Sequence, residues 1–186
     1  TAGAQQYPTK PLRLVVPFAP GGPNDILGRL VAQNLTQQLG QNVVVENRGG
    51  AGGTIGIEYT ARLPGDGYAI AMGGSSNLAV APSLYKKLSY DPLKDFTPII
   101  NVAHVPYGIA VNPTVPVKNV KELIAIAKTK AGYLSYGSSG VGSMSNLAAE
   151  LLKSMAGAEI VHVSYKGTAP ALTDVIAGNI DMMLAD

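Results

Sequence analysis

At four places, 17–25, 73–77, 137–143 and 165–168, an apolar run gives way to a short turn rich in glycine, serine or proline, and the turn opens a helical pattern. This repeated unit constrains the fold more than any other feature, because alternating strands and helices specify an α/β architecture with a mostly parallel sheet. In the first unit Leu12, Leu14, Val15 and Val16 read as a buried strand. The turn from Pro17 to Pro23 is stiffened by three prolines and freed by the adjacent glycines 21 and 22. Apolar residues at 26, 27, 30, 31, 35 and 39 then return to one helical face, with Asn24 or Asp25 as the expected N-cap and an end near Gly40. Such a unit aims free N–H groups and the positive end of a helix dipole at one point, which suits an anion. The spacing fits equally a tight βα turn whose glycines serve only positive φ, and both readings stay open at this level.

The same logic carries along the chain. Val43–Asn47 reads as a second strand, the glycine-rich stretch 47–56 leads into a helix over about 54–63, and Tyr68–Met72 is a third strand followed by a short helical piece. Residues 84–97 are polar and irregular, a surface connection. Two apolar runs follow, Pro98–Val105 and Tyr107–Asn112, both expected as strands. Pro106 between them marks a crossing, so the expected domains are 1–105 and 106–186. A helix then starts with a capping box, Asn119 and Glu122 three apart. Leu134–Tyr136 is a short strand, and the next helix is expected to turn Leu147, Leu151, Leu152 and Met155 inward and to stop at Gly157. Ile160–Ser164 is a strand. The last helix has Thr168 as expected N-cap, Pro170 in its first turn and Gly178 after its end. Ile180–Ala185 begins one more strand with no element after it, and the chain reads as truncated.

Composition removes several function classes. No cysteine is present, which excludes disulfides, thiolate metal sites and cysteine nucleophiles together. A net charge of +2 with no basic cluster argues against nucleic acid. No apolar run reaches membrane-spanning length, so the chain is not expected to insert in a membrane. Gly50, Gly52, Gly53 and Gly56 miss the dinucleotide fingerprint, since Ile55 stands where the third glycine belongs. No Walker motif and no metal-ligand spacing occur, so neither cofactor nor metal is expected. Ala2 and Ala4 match the small-residue pattern before a signal-peptidase cut, and a cloning remnant explains the same residues equally well.

At the carboxyl ends of parallel strands, turns from two domains collect at one cleft, where ligands bind. The four turns offer backbone N–H groups and the hydroxyls of Ser75, Ser76, Ser138, Ser139, Ser143 and Thr168, with one cation, Lys166, and one carboxylate, Asp25. That composition suits a small anion held by neutral donors, not an arginine or lysine clamp. An enzyme reading finds less. Gly137-x-Ser139-Gly140 lacks the spacing of a nucleophile elbow. His104 and His162 sit in apolar runs, where histidine is more often a core residue than a base. Asp25 as a base has a simpler explanation in helix capping.

The ordered motifs Tyr7-Pro8 with Pro11-Leu12-Arg13, Val16 to Gly22 with Asp25, and Val45-Glu46-Asn47-Arg48-Gly49-Gly50-Ala51-Gly52-Gly53 run on through Pro64-Gly65-Asp66-Gly67-Tyr68 and Ser138 to Ser143 to Tyr165-Lys166-Gly167-Thr168-Ala169-Pro170-Ala171 with Asp174 and Gly178. In these the chain resembles the solute-binding receptors of tripartite tricarboxylate transporters, the Bug receptors, whose members are considerably longer. The resemblance implies a two-domain α/β periplasmic binding protein of type II-like architecture, with its ligand cleft between domains and the second domain incomplete in this chain. It implies capture of a small mono- or dicarboxylate without chemistry, delivery to membrane permease subunits, and a periplasmic location after signal-peptide removal. Carried over residue by residue, the ligand set is Phe18, Ala19, Pro20, Gly21, Gly22 and Asp25, with Ser138, Ser139, Gly140 and Ser143, joined by Ser75 and by Tyr165, Thr168 and Ala169. The alternative is a small-molecule hydrolase or transferase using a serine of the 137–143 turn, which would need a base beside that serine.

Overall fold

A computed structural model describes residues 7–129 and 132–186, so the Ala2/Ala4 pattern lies outside the described residues. Strands and helices alternate and build two sheets. In the first, β1 (Leu12–Val16) is flanked by β2 (Val43–Asn47) and β3 (Ala69–Ala71), all parallel. Its central position explains why Leu12, Leu14, Val15 and Val16 are all buried, since both faces of β1 are covered. Helix α1 (Pro23–Leu39) connects β1 to β2 and ends at Gly40 with positive φ, as expected. A 3-10 turn (Ala51–Gly53) precedes α2 (Thr54–Ala61), and a π-helical turn (Ser76–Val80) runs into α3 (Ala81–Leu84).

The second sheet has the order β4-β7-β5-β6, from β4 (Gly108–Val111), β5 (Leu134–Ser138), β6 (Ile160–Ser164) and β7 (Met182–Ala185). β5 pairs in parallel with β6 and β7, while β4 runs antiparallel to β7. The apolar run of β7 is divided between two cores. Met182 and Leu184 join Leu123 and Ala127 of α4 (Val120–Thr129) and Ala149 of α5 (Met144–Ala156), whereas Met183 joins Ala171 and Val175 of α6 (Thr168–Ala177). Alternation along one strand thus fixes which helix covers which face.

Several expectations change. Residues 98–105 form no strand: the segment is extended and exposed, with Ile99 76% and Ile100 79% accessible. Its apolar residues look strand-like, but a strand also needs a neighbour for its ladder, and none is present among the described residues. His104 therefore lies outside any sheet and contacts the Asn101 carboxamide at 3.1 Å. β5 runs on to Ser138, so its turn begins later than composition indicated. Leu151 and Met155 of α5 face outward, 61% and 80% exposed, while Ser145, Asn146 and Ala149 face inward. In α1 the buried side is Asp25, Gly28 and Ala32, and Ile26 and Leu30 are exposed. In both helices small residues allow close approach to the strands and the turns, and that requirement overrides hydrophobicity. The N-caps also differ. Gly22 and Gly167, not Asn24, Asp25 or Thr168, precede α1 and α6, and both are extended there without a side-chain cap. The expected Asn119–Glu122 pairing of α4 forms with one bond displaced: Asn119 Oδ1 accepts from the Glu122 amide at 3.0 Å, while the Glu122 carboxylate accepts from the amide of Lys118, one residue before the cap, at 2.7 Å.

Gly28 shows how tight the α1–β1 contact is, since a Cβ there would lie 2.7 Å from Val16 Cγ2. Glycine to alanine inside a helix ordinarily stabilises by up to about 1 kcal/mol. Here crowding reverses the sign, and Gly28→Ala in the full-length protein is expected to lose about 1–3 kcal/mol in urea denaturation. A variant more stable than wild type contradicts this packing.

Candidate functional site

The turn after β1 is held by a buried carboxylate. Asp25 Oδ2 accepts from the Gly21 amide at 2.9 Å and from Arg29 Nε at 3.0 Å, and Oδ1 accepts from Asn47 Nδ2 at 2.8 Å. Asn47 Nδ2 also reaches the Phe18 carbonyl at 3.2 Å. Burial pushes the Asp25 carboxyl up, but hydrogen bonds from Arg29, Gly21 and Asn47 outweigh it and hold the group below its ordinary value. Asp25 therefore braces the turn from behind.

The turn after β3 is shaped by Asn77, whose Oδ1 accepts from the Gly74 amide at 2.9 Å. The turn after β5 is a serine cluster. Ser143 caps α5, accepting from the Asn146 amide at 3.2 Å, and Ser145 Oγ lies 3.0 Å from Ser143 Oγ and 3.1 Å from Ser139 Oγ. The turn after β6 ends at Thr168, whose hydroxyl donates to Asp186 at 2.6 Å.

These turns meet across a seam between the two sheet units. The Ala19 amide donates to the Lys166 carbonyl at 2.9 Å, and the Tyr85 hydroxyl donates to the Val141 carbonyl at 3.0 Å. Elsewhere backbone lies directly on backbone. A Cβ at Gly140 would lie 2.6 Å from the Gly52 nitrogen, one at Gly49 2.6 Å from the Lys166 carbonyl oxygen, and one at Gly167 3.0 Å from the Ala19 nitrogen. The seam closes only because these positions carry no side chain.

Beside the seam lies a cavity of about 490 Å³. From the first unit it is lined by Phe18, Gly22, Pro23, Asn24 and Leu27 and by residues 71–76. From the second it is lined by Ser139, Ser143, Met144, Thr168 and Asp186, and the 98–107 segment adds Ile100, Asn101, Val102, Ala103, Val105 and Tyr107. The first turns of α1, α5 and α6 thus all face one space, and the amides of a first helical turn have no intrahelical acceptor. No lysine, arginine or histidine lines it among the described residues; its one charged residue is Asp186. No group of three or more His, Asp or Glu able to hold a metal occurs among the described residues. Helix N-termini of this kind suit a small anion, and the one carboxylate in the lining, Asp186, is engaged by the Thr168 hydroxyl.

Of the residues singled out from sequence, Phe18, Gly22, Ser75, Ser139, Ser143 and Thr168 line the cavity. Ala19, Pro20, Gly21, Asp25, Ser138, Gly140, Tyr165 and Ala169 do not: Ala19 and Gly140 are in the seam, Asp25 is behind its turn, and Tyr165 donates to Asp174. Lys166 is exposed and contributes its carbonyl, not its ammonium. Sequence reasoning missed Met72, Met144, Asp186 and the whole 100–107 wall, which carry no motif.

Two α/β units meeting over a cleft of helix N-termini give the architecture of periplasmic binding protein structures. The tripartite tricarboxylate transporter family receptor profile matches residues 27–186, and the chain belongs to that family. It is similar to a solved periplasmic transporter at 46% identity and TM-score 0.92, covering 96% of this chain and 60% of that one. A Rhodopseudomonas palustris protein solved with adipate matches at 40% identity and TM-score 0.89, with the same coverage of 96% and 60%. MatC from the same organism, solved with bound malate, matches at 32% identity and TM-score 0.90, covering 96% of this chain and 61% of that one. The chain spans about half the length of the curated relatives it matches, 53%, 51% and 54% for three of them.

Gly167 is extended, a conformation open to any residue, so its replacement tests the seam without backbone strain. In the full-length protein Gly167→Val is expected to force the units apart at Ala19. Hydrogen exchange at the Ala19 amide should then rise about tenfold or more, while the β1 amides keep their rates. An Ala19 amide as protected as in wild type contradicts the seam.

Proposed function

We propose that this chain is the ligand-binding part of a receptor that captures a small organic carboxylate in the periplasm, closes over it without chemistry, and presents it to membrane permease subunits of a tripartite transporter. The observation that carries this reading is the cavity lined by first-turn residues of α1, α5 and α6, with neutral donors and no cationic side chain among the described residues. The relatives solved with adipate and with malate support a carboxylate as the ligand class. Phe18, Gly22, Ser75, Ser139, Ser143 and Thr168 are assigned to ligand contact, with Asn24 added. Ala19, Pro20, Gly21, Asp25, Ser138, Gly140, Tyr165 and Ala169 are assigned to holding the turns and the seam. Residues 1–105 and 106–186 are taken as the two lobes, one for each sheet. No helix among the described residues is long and apolar enough to cross a membrane.

One observation favours the enzyme alternative: Ser138 Oγ lies 2.7 Å from His162 Nε2, a nucleophile–base distance. Ser138 is fully buried and lies off the cavity, however, and Ser139, which does line it, engages Ser145 instead of a base. The binding reading therefore accounts for more of the site.

Its test is calorimetry of the full-length protein with malate and adipate beside their dimethyl esters. Loss of the charge-assisted hydrogen bonds should weaken the esters by about 2 kcal/mol or more, roughly thirtyfold. Esters binding as tightly as the acids contradict the anion site, and recovery of altered ligand after long incubation contradicts a receptor without chemistry.

A further inference from the structure

A polar network lies behind the 138–143 turn and outside the cavity. Tyr136 and His162 are paired across β5 and β6, and their rings stack with centroids 4.7 Å apart and an 18° interplanar angle. The Tyr136 hydroxyl donates to Glu150 at 2.6 Å and accepts from Asn146 Nδ2 at 2.8 Å, both on α5. Lys153, one turn further along α5, pairs with Glu150 at 2.9 Å. On its other side the imidazole meets Ser138 Oγ at 2.7 Å, and the same oxygen accepts from the Gly140 amide at 3.2 Å. Gly140 is the seam residue that abuts Gly52, and Ser139 between them lines the cavity. His162 thus stands two hydrogen bonds from the seam and one residue from the site.

The Ser138 hydroxyl has one hydrogen to place. With His162 neutral and its proton on Nδ1, Nε2 accepts that hydrogen. With His162 protonated, Nε2–H becomes the donor and the hydroxyl turns to the Gly140 carbonyl, 3.3 Å away. Every partner stays bonded in both states; what changes is one unit of charge behind the ligand turn. The groups facing the ring are Tyr136 from β5 and Glu150 and Lys153 from α5. Burial, opposed by Glu150 and joined by Lys153, favours the neutral ring and holds His162 below the ordinary histidine value.

We propose that protonation of His162, which reaches the ligand turn through Ser138, adds a positive charge behind the site, so that anion binding takes up a proton and strengthens on acidification. The inference rests on the carboxylate reading. The sign follows from linkage: an anion in the cavity favours the charged imidazole, so the proton in turn favours the anion by the same factor.

The test titrates full-length wild type and His162→Gln with malate and adipate at about pH 8 and about pH 5, the lower value set beneath the ordinary histidine range because burial holds His162 down, in buffers of different ionisation enthalpy. The variant's carboxamide keeps a partner for Ser138 but takes up no proton, and it carries the ligand's own titration as its baseline. Wild type and variant should bind equally at the higher pH. At the lower pH the wild type should gain about fivefold or more over the variant and take up extra protons, the scale of one opposite charge acting through a partly buried layer. Equal pH dependence and equal proton uptake in the two proteins overturn the inference alone, as does a variant weakened by the same factor at both pH values. Failure of both acids to bind wild type overturns the carboxylate reading and this inference with it.

Discussion

Everything at the site depends on backbone meeting backbone across the seam. The Ala19 amide on the Lys166 carbonyl, with Gly49, Gly52, Gly140 and Gly167 packed around it, brings the turns of both sheets side by side. Any side chain in that layer would hold the units apart and leave each helix N-terminus facing solvent by itself. The contact is close but small: Ala19–Lys166 and Tyr85–Val141 are hydrogen bonds of ordinary kind, each adding about 1 kcal/mol net. Contacts so light suit the proposed function, in which a ligand bridging both units would favour the form that joins them.

The second constraint is that, among the described residues, no cationic side chain lines the cavity. Each helix N-terminus carries roughly half a positive charge, so the first turns of α1, α5 and α6 together match a carboxylate without a side-chain counterion. The two acids nearest the turns are occupied. Asp25 is bound by the amide of Gly21 and by Asn47 and Arg29, and Asp186 accepts from Thr168. Asp25 thus spends its charge on fixing the turn that carries Gly22 and Asn24.

What could be read from the sequence was local. The bounds of β2 and β6, the C-terminal glycines 40, 157 and 178, and the Asn119–Glu122 pairing depend on residues within a few positions of one another, and all appear in the structure. What could not be read depends on partners distant in sequence. Residues 98–105 have strand composition but, among the described residues, no neighbour to complete a ladder. Leu151 and Met155 fit an inward stripe, yet Ser145 and Asn146 take the inner face because they build the turn. The Ser138–His162 contact joins residues twenty-four positions apart through the register of two strands, which no spacing rule anticipates. Of the site, the four turns were visible as motifs, while the split between cavity wall and supporting backbone needed the three-dimensional seam.

The central claim is that one carboxylate is held jointly by helix N-termini from both units. The most direct measurement is an amide-resolved nitrogen NMR titration of the full-length protein with malate and adipate. The account predicts that the amides of Gly22, Asn24, Met144 and Thr168 shift together along one binding curve, while the side-chain nitrogens of Lys166 and Arg29 stay in place. Shifts confined to one unit, or centred on a lysine or arginine side chain, would contradict it.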